Sequence, residues 1–197
     1  FMLNRSIDEV LFDADGKAWG VKGDSEVAKA PLILGDPSYF KKHDKCTLTG
    51  QVARSICFLN HPIPNTNNAE SLQIIIPAAQ LKRKNDVYVV LVSNSHQVTA
   101  PGKYVAICST TVETKDPLKE LQPALALLGP IMTKFDDVVD LYTPKADGTS
   151  DGCFISKSFD ATSHFESSSQ DVLDLYKRVT GTELDLNINA DSTKGDY

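Results

Sequence analysis

The stretch from residue 86 to residue 114 is the most continuously apolar part of the chain, and it constrains the fold most. Residues 87–92 read VYVVLV, and residues 104–112 read YVAICSTTV. Runs rich in β-branched residues, without internal Gly or Pro, favour strands over a buried helix. Between them Pro101 fixes φ and Gly102 tolerates a positive φ, so the chain can reverse and pair the strands antiparallel. Because neither run alternates strictly with polar residues, we expect both faces of their sheet to be covered.

Turn residues and apolar patterns predict further elements on either side of this pair. Three short strands, at 7–12, 18–21 and 26–34, are expected to form a small antiparallel sheet. Ser38 is expected to cap a short helix that runs through Lys42. Further strands are predicted at 51–59, 72–76, 138–143 and 153–158, and one helical turn is predicted at 77–81.

Two longer helical segments are predicted after the central strands. The first begins at Asp116-Pro117, and Pro123 is expected to bend or restart it. The second runs to Thr180 with Ser168 as its cap. Each carries one apolar stripe that we expect to be buried: Leu118, Leu121, Leu125 and Leu128 in the first, and Val172, Leu175, Tyr176 and Val179 in the second.

Charge and composition exclude several classes of protein. The net charge is −6 over 197 residues, which argues against a nucleic-acid partner, since such proteins cluster an excess of Lys and Arg. The basic run at 82–84 is interpreted as a solvated turn. No stretch approaches the ~20 apolar residues of a membrane-spanning helix, and no signal peptide is recognisable.

The cysteines and the first residues suggest a location and an origin. The 4 cysteines are widely spaced and are expected to be reduced thiols in a cytoplasmic protein. The chain begins in what reads as the middle of a strand, so we expect it to be a fragment of a longer polypeptide.

A search for chemistry in the sequence gives no catalytic, cofactor or metal site. It contains no Gly-rich phosphate loop, no Cys or His pair at metal-ligand spacing and no nucleophile elbow. His164 with Asp160 and Glu166 could form an acid/base group, but a structural loop held by hydrogen bonds is the favoured interpretation. The residues alone therefore indicate a mixed α and β protein without an assigned function.

Seven segments, taken together and in order, resemble the carboxyl-terminal half of the Rab GDP dissociation inhibitors. The resemblance runs from Met2 to about residue 185. The segments are DPSY (36–39), NHPIPNTN (60–67), IIIP (74–77), GKYVA (102–106), STTVET (109–114), DATSHFE (160–166) and YKRVTG (176–181).

The resemblance implies an α/β plus α+β fold. A remnant of the flavoprotein-like dinucleotide-binding fold would be interrupted by an α+β domain with a mixed sheet. On that pattern 1–43 and 141–185 belong to the dinucleotide-binding-like domain, 44–140 form the α+β domain, and 186–197 are a mobile tail. The polar stretch 41–45 also favours a boundary at that point. The family holds no flavin and is not catalytic.

The resemblance also implies a function and a contact site. Members bind GDP-bound, prenylated Rab GTPases, slow GDP release, and carry the GTPases between membranes and cytosol with only transient membrane contact. Met2, Leu3 and Asn4 match the last piece of the family's Rab-binding surface. The alternative for Met2 is a place in the core, as part of the first strand. The full-length protein is expected to be a monomer. The apolar residues of this chain are expected to be used by its own core, which leaves none for a lipid.

Two other functions remain open from the sequence. A Rab escort protein shares the fold and presents Rab to the prenyltransferase. A flavin-dependent oxidoreductase could use the same architecture.

Overall fold

The computed structural model describes residues 3–162 and 165–187. Their contacts divide into two compact units. The first contains the described residues up to 47, residues 143–157 and those from 166 onward, and the second contains 48–142 and the described residues of 158–165. The strands are β1 (Glu9–Phe12), β2 (Ala18–Gly23), β3 (Glu26–Lys29), β4 (Ile33–Gly35), β5 (Cys46–Leu59), β6 (Leu72–Ile76), β7 (Val87–Ser93), β8 (Tyr104–Thr111), β9 (Thr133–Pro144) and β10 (Cys153–Ile155). The helices are α1 (Gln122–Leu125), α2 (Glu166–Thr180) and four 3₁₀ helices, Pro37–His43, Ala78–Leu81, Asn94–His96 and Pro117–Leu121.

The second unit is built on a five-stranded sheet in the order β6-β7-β8-β5-β9. The predicted antiparallel pairing of β7 with β8 is confirmed, with Val87 opposite Thr110 and Ser93 opposite Tyr104. The turn before β8 has its expected form, because Gly102 has φ +70° and the Lys103 amide donates to the Ala100 carbonyl at 3.1 Å.

Both faces of the central strands β7 and β8 are covered, as expected, but unequally. Val87, Val89 and Leu91 are completely buried, whereas the residues between them are half-buried. A strand shows this alternation because successive side chains point to opposite faces. The sequence hides it, since both sets of side chains are mostly apolar.

The helical segment after β8 packs its second half into the core of this unit. Pro123 lies in the first turn of α1, directly after the 3₁₀ helix, so the predicted restart is confirmed. Leu121 and Leu128 are completely buried, but Leu118 is 39% exposed and does not belong to the buried stripe. The carboxylate of Asp116 pairs with Lys119 at 2.9 Å instead of capping the helix.

The first unit contains two small sheets. Strands β1, β2 and β3 form the predicted antiparallel meander. The strand predicted at 26–34 is not continuous, because β3 ends at Lys29 and β4 pairs in parallel with β10. Pro31 interrupts the run, since proline cannot donate a hydrogen bond to a sheet. The cap of the following helix is Asp36, not Ser38, and its carboxylate accepts from the Ser38 amide at 2.7 Å.

Helix α2 presents a different face from the one predicted. It begins at Glu166, so Ser168 lies inside it. Val172 is 62% and Tyr176 38% exposed, and the predicted buried stripe was therefore wrong. Polar contacts attach the helix to other parts of the first unit: the Asp171 carboxylate accepts from the Lys157 amide at 2.9 Å, and Arg178 donates to the Asp147 carbonyl at 3.1 Å.

The interpretation of 82–84 as a solvated turn was wrong for its central residue. The Arg83 guanidinium pairs with the Glu120 carboxylate at 2.7 Å and donates to the Thr111 carbonyl at 2.8 Å. Its side chain keeps only 11% exposure. Lys82 and Lys84 are exposed, as expected.

All four cysteines are free thiols. Within residues 3–162 and 165–187, no helix has the length and apolar character needed to cross a bilayer.

Candidate functional site

The segment before β1 carries two of the three residues that the resemblance marks for GTPase contact. Leu3 and Asn4 form a turn, and Asn4 adopts the left-handed conformation with φ 57°. The Leu3 side chain is 83% exposed. Met2 lies outside the described residues. Within the described chain the Leu3 side chain is therefore available for contact with another surface.

The β2–β3 hairpin holds this segment through side-chain contacts. Arg5 pairs with Asp24 at 3.2 Å and with Glu26 at 3.5 Å. The Ser6 hydroxyl donates to the Asp24 carboxylate at 3.4 Å. These contacts attach the two residues that follow Asn4 to the turn between β2 and β3.

Backbone contacts continue the attachment toward β1. The Asp8 amide donates to the Lys22 carbonyl at 2.8 Å, and the Asp24 amide donates to the Asp8 carboxylate at 3.1 Å. Asp24 has φ 52°, a conformation that Asp tolerates better than most residues. The turn therefore presents both its amide and its carboxylate to the segment.

Gly23 allows the segment to lie this close. A Cβ atom at Gly23 would stand 2.0 Å from the Ser6 carbonyl oxygen, a distance that no non-bonded carbon and oxygen can adopt. The sequence predicted strands on either side of Gly23 but gave no sign of this contact, because the partner carbonyl lies 17 positions earlier in the chain.

An apolar groove opens beside this segment in the first unit. Its volume is about 300 Å³. The buried Val10 and Phe40 line it, together with Ile7, Leu34 and Tyr39, which are exposed. The expectation that every apolar residue would be used by the core was therefore wrong.

A second groove of about 590 Å³ lies elsewhere in the first unit. Lys17, Lys29, Trp19 and Asp13 are among its lining residues. The Lys29 ammonium stands 5.9 Å from the centre of the Trp19 ring. Charges of both signs line this groove, so its lining favours no one class of ligand.

Among the residues considered for acid/base chemistry, Asp160 makes structural hydrogen bonds. The Asp160 carboxylate accepts from the amide and the hydroxyl of Thr162 at 2.8 and 2.5 Å. Glu166 is the first residue of α2, and His164 lies outside the described residues. The ring nitrogens of His61 lie 2.7 and 3.0 Å from the carbonyls of Pro62 and Pro130.

Two of the buried thiols, Cys108 and Cys153, lack the properties of nucleophiles. A hydrogen bond with Cys57, together with burial, raises the pKa of the Cys108 thiol. Burial raises the pKa of Cys153 to about 11. Because the thiolate is the reactive form, both residues are protonated and inert at neutral pH. In the part of the chain that the structure describes, no group of His, Cys, Asp or Glu side chains could hold a metal ion.

Comparison with known proteins gives consistent matches. The family model described as "GDP dissociation inhibitor" matches residues 1–191. The "Rab GDP-dissociation inhibitor" of Saccharomyces cerevisiae is 54% identical over 188 residues, which cover 94% of this chain and 41% of that protein. The "Probable secretory pathway GDP dissociation inhibitor 1" of Schizosaccharomyces pombe is 53% identical over 186 residues, with 94% and 42% covered.

A solved structure also matches. The crystal structure of the RAB GDI from Plasmodium falciparum superposes with a TM-score of 0.89 at 45% identity, covering 94% of this chain and 42% of that one. The chain thus spans about two fifths of the length of the relatives that it matches. Because the family model matches nearly all of its residues and the same fold is found in a solved member, the chain belongs to the GDP dissociation inhibitor family.

Proposed function

We propose that the protein that carries this chain is a Rab GDP dissociation inhibitor. It binds GDP-bound, prenylated Rab GTPases, slows the release of GDP, and carries the GTPases between membranes and the cytoplasm. The observation that supports this most is the identity of 54% with a protein named for that activity, which extends over 94% of the chain. The names of these relatives also favour an inhibitor over an escort protein or a flavin enzyme.

Leu3 and Asn4 are proposed to contact the GTPase, together with Met2. The exposure of Leu3 and its place on an anchored turn support this role. If these residues contact a surface that the GTPase presents only when it holds GDP, binding is selective for the GDP-bound state. A ligand can favour one state only through its higher affinity for that state. Met2 suits such a contact because its thioether adapts to an apolar surface, but its side chain is not described.

The lipid of the GTPase is proposed to bind in a part of the relatives' length that this chain does not span. Each buried CH₂ of a prenyl group stabilises the membrane-bound state by about 0.8 kcal/mol. A carrier must therefore offer the lipid an apolar cavity that buries its CH₂ groups about as completely as the membrane does. The described groove of about 300 Å³ has an open rim, and the groove of about 590 Å³ has charged residues of both signs among its lining.

The fold of the family is proposed to extend to both units. In this proposal 1–43 and 141–185 belong to a dinucleotide-binding-like domain related to flavoproteins, and 44–140 form an inserted α+β domain. Of the tail expected at 186–197, residues 188–197 lie outside the described residues. The parallel pairing of β4 with β10 supports the first assignment, since parallel strands are typical of α/β folds. The antiparallel pairing of β5, β6, β7 and β8 supports the second.

A chimera tests the proposed function directly. The matched residues of this chain would replace the corresponding segment of the S. cerevisiae relative. The rate at which prenylated Rab releases fluorescent GDP would then be measured with the chimera and with the parent. Comparable slowing by both supports the proposal, and an unchanged release rate with the chimera contradicts it. Support of prenylation by the transferase would favour an escort protein, and visible flavin absorbance would favour an oxidoreductase.

A further inference from the structure

We propose that the Gly23–Asp24 turn is a positioning element that holds Leu3 and Asn4 in the orientation that the GTPase binds. The inference rests on the proposed function and adds to it a second site, which does not itself touch the GTPase. The turn belongs to the β2–β3 hairpin and lies about twenty positions along the chain from the residues that it positions.

The need for an anchor follows from the exposure of the segment. Residues 3–9 are all exposed within the described chain, so the contacts that hold the segment within this chain are polar ones. A mobile contact residue loses conformational freedom when it binds, and that loss weakens the complex. Contacts that order the segment before binding remove this cost.

The backbone contacts at the turn are the strongest part of the anchor. The amide of Asp24 and the carbonyl of Lys22 both bond to Asp8, and Gly23 provides the space in which the Ser6 carbonyl lies. The ion pairs of Arg5 add less, because Arg5, Asp24 and Glu26 keep 46%, 50% and 57% exposure of their side chains. Exposed pairs are screened by water and contribute little.

Gly23→Ala is therefore the sharpest change. The added methyl group and the Ser6 carbonyl cannot both keep their places, so we expect the segment to shift away from the turn. Gly50→Ala is a matched control, because the nearest atom to a Cβ at Gly50 is Leu141 Cδ1 at 4.0 Å. Asp24→Gly provides a second, milder variant: it retains freedom for a positive φ but removes the carboxylate that accepts from Ser6.

A double-mutant cycle separates positioning from a general loss of stability. In the chimera, the affinity for GDP-loaded, prenylated Rab would be measured for Leu3→Ser, Gly23→Ala and the two changes together. We expect each single change to weaken binding about tenfold, as for a well-packed interface residue, and the double variant to be no weaker than Leu3→Ser alone. Effects that pass through the same contact are not additive.

Hydrogen exchange gives a readout that does not depend on the GTPase. The amides of Asp8 and Asp24 should exchange faster in Gly23→Ala and at the unchanged rate in Gly50→Ala.

For Asp24→Gly we expect about threefold weaker binding of Rab, since only side-chain contacts are lost.

Two results would overturn the inference alone. One is Rab affinity that falls with Leu3→Ser but not with either change at the turn. The other is multiplied losses in the double variant, about a hundredfold in total, which would show independent effects. Failure of the unmodified chimera to bind Rab would instead overturn the proposed function, and this inference with it.

Discussion

The guanidinium of Arg83 lies 2.7 Å from the carboxylate of Glu120, and the two side chains keep only 11% and 3% of their exposure. Glu120 also accepts from the amide of Glu113 at 3.1 Å and from the amide of Thr114 at 2.7 Å. The hydrogen-bonded cluster of Arg83, Glu113, Thr114 and Glu120 therefore connects the turn before β7 to the segment between β8 and the helical region. Buried charges of this kind are tolerated only when they are fully paired.

The first prediction is that Arg83→Met strongly destabilises the second unit. Removing one member of a buried pair leaves the other charge uncompensated, which costs about 3–5 kcal/mol. Urea unfolding of the variant and the unchanged chain measures the difference. Lys84→Met is the control, because Lys84 is exposed and should change the free energy of unfolding by less than about 0.5 kcal/mol. Equal losses of unfolding free energy in both variants would show that the pairing of Arg83 with Glu120 does not stabilise the unit.

The second prediction concerns pH. Burial alone would raise the pKa of Glu120, but hydrogen bonds from Thr114 and the pairing with Arg83 outweigh it and hold the pKa below its ordinary value of 4.5. The unfolded state then binds more protons than the folded state in this range, so the stabilisation is complete above pH 4.5 and is lost as pH falls through the lowered pKa.

Unfolding measured in urea from neutral to acidic pH checks this dependence. The curve of Glu120→Gln should fall less steeply below pH 4.5 than that of the unchanged chain. Parallel curves for the two proteins would contradict the assignment to Glu120.

The third prediction compares two valines. Val89 is completely buried in β7, and Val172 is 62% exposed on α2. Val89→Ala should lower the free energy of unfolding by about 1–3 kcal/mol through lost burial and a residual cavity. Val172→Ala should change it by less than about 0.5 kcal/mol. A loss of similar size for both valines would mean that α2 buries the face predicted from its sequence.

The contrast between β7 and α2 shows what sequence patterns determine. The pairing of β7 with β8 was predictable because a local turn at Pro101-Gly102 joins two strongly β-forming runs. The rotation of α2 was not, because it depends on how the helix packs on the rest of the first unit, which Asp171 and Arg178 contact. Its apolar stripe gave the periodicity of a helix but not the identity of the buried face.

Long-range pairing explains the other differences. Strand β4 could not be separated from β3 by pattern alone, since its partner β10 lies more than a hundred positions later. At the candidate site, the residues Leu3 and Asn4 were found by resemblance, whereas the role of Gly23 required knowledge of the Ser6 carbonyl beside it.

The fourth prediction concerns thiol reactivity. Cys46 is partly exposed, whereas Cys57 and Cys108 are completely buried. A thiol reagent added to the folded chain at mildly alkaline pH should label Cys46 first, and should label Cys57 and Cys108 only after unfolding. Mass spectrometry of the labelled peptides measures the order. Rapid labelling of Cys108 in the folded chain would contradict both its burial and its raised pKa.

Extraction of Rab from membranes tests the proposed function most directly. Membranes that carry prenylated Rab, loaded with GDP or with a non-hydrolysable GTP analogue, would be incubated with the chimera, with the parent S. cerevisiae protein and with the 197-residue chain alone. We expect the chimera to release GDP-loaded Rab as well as the parent does and to leave the GTP-analogue form on the membrane. We expect the chain alone to release neither form. Efficient extraction by the chain alone would contradict the proposed place of the lipid site, and failure of the chimera to extract GDP-loaded Rab would contradict the function itself.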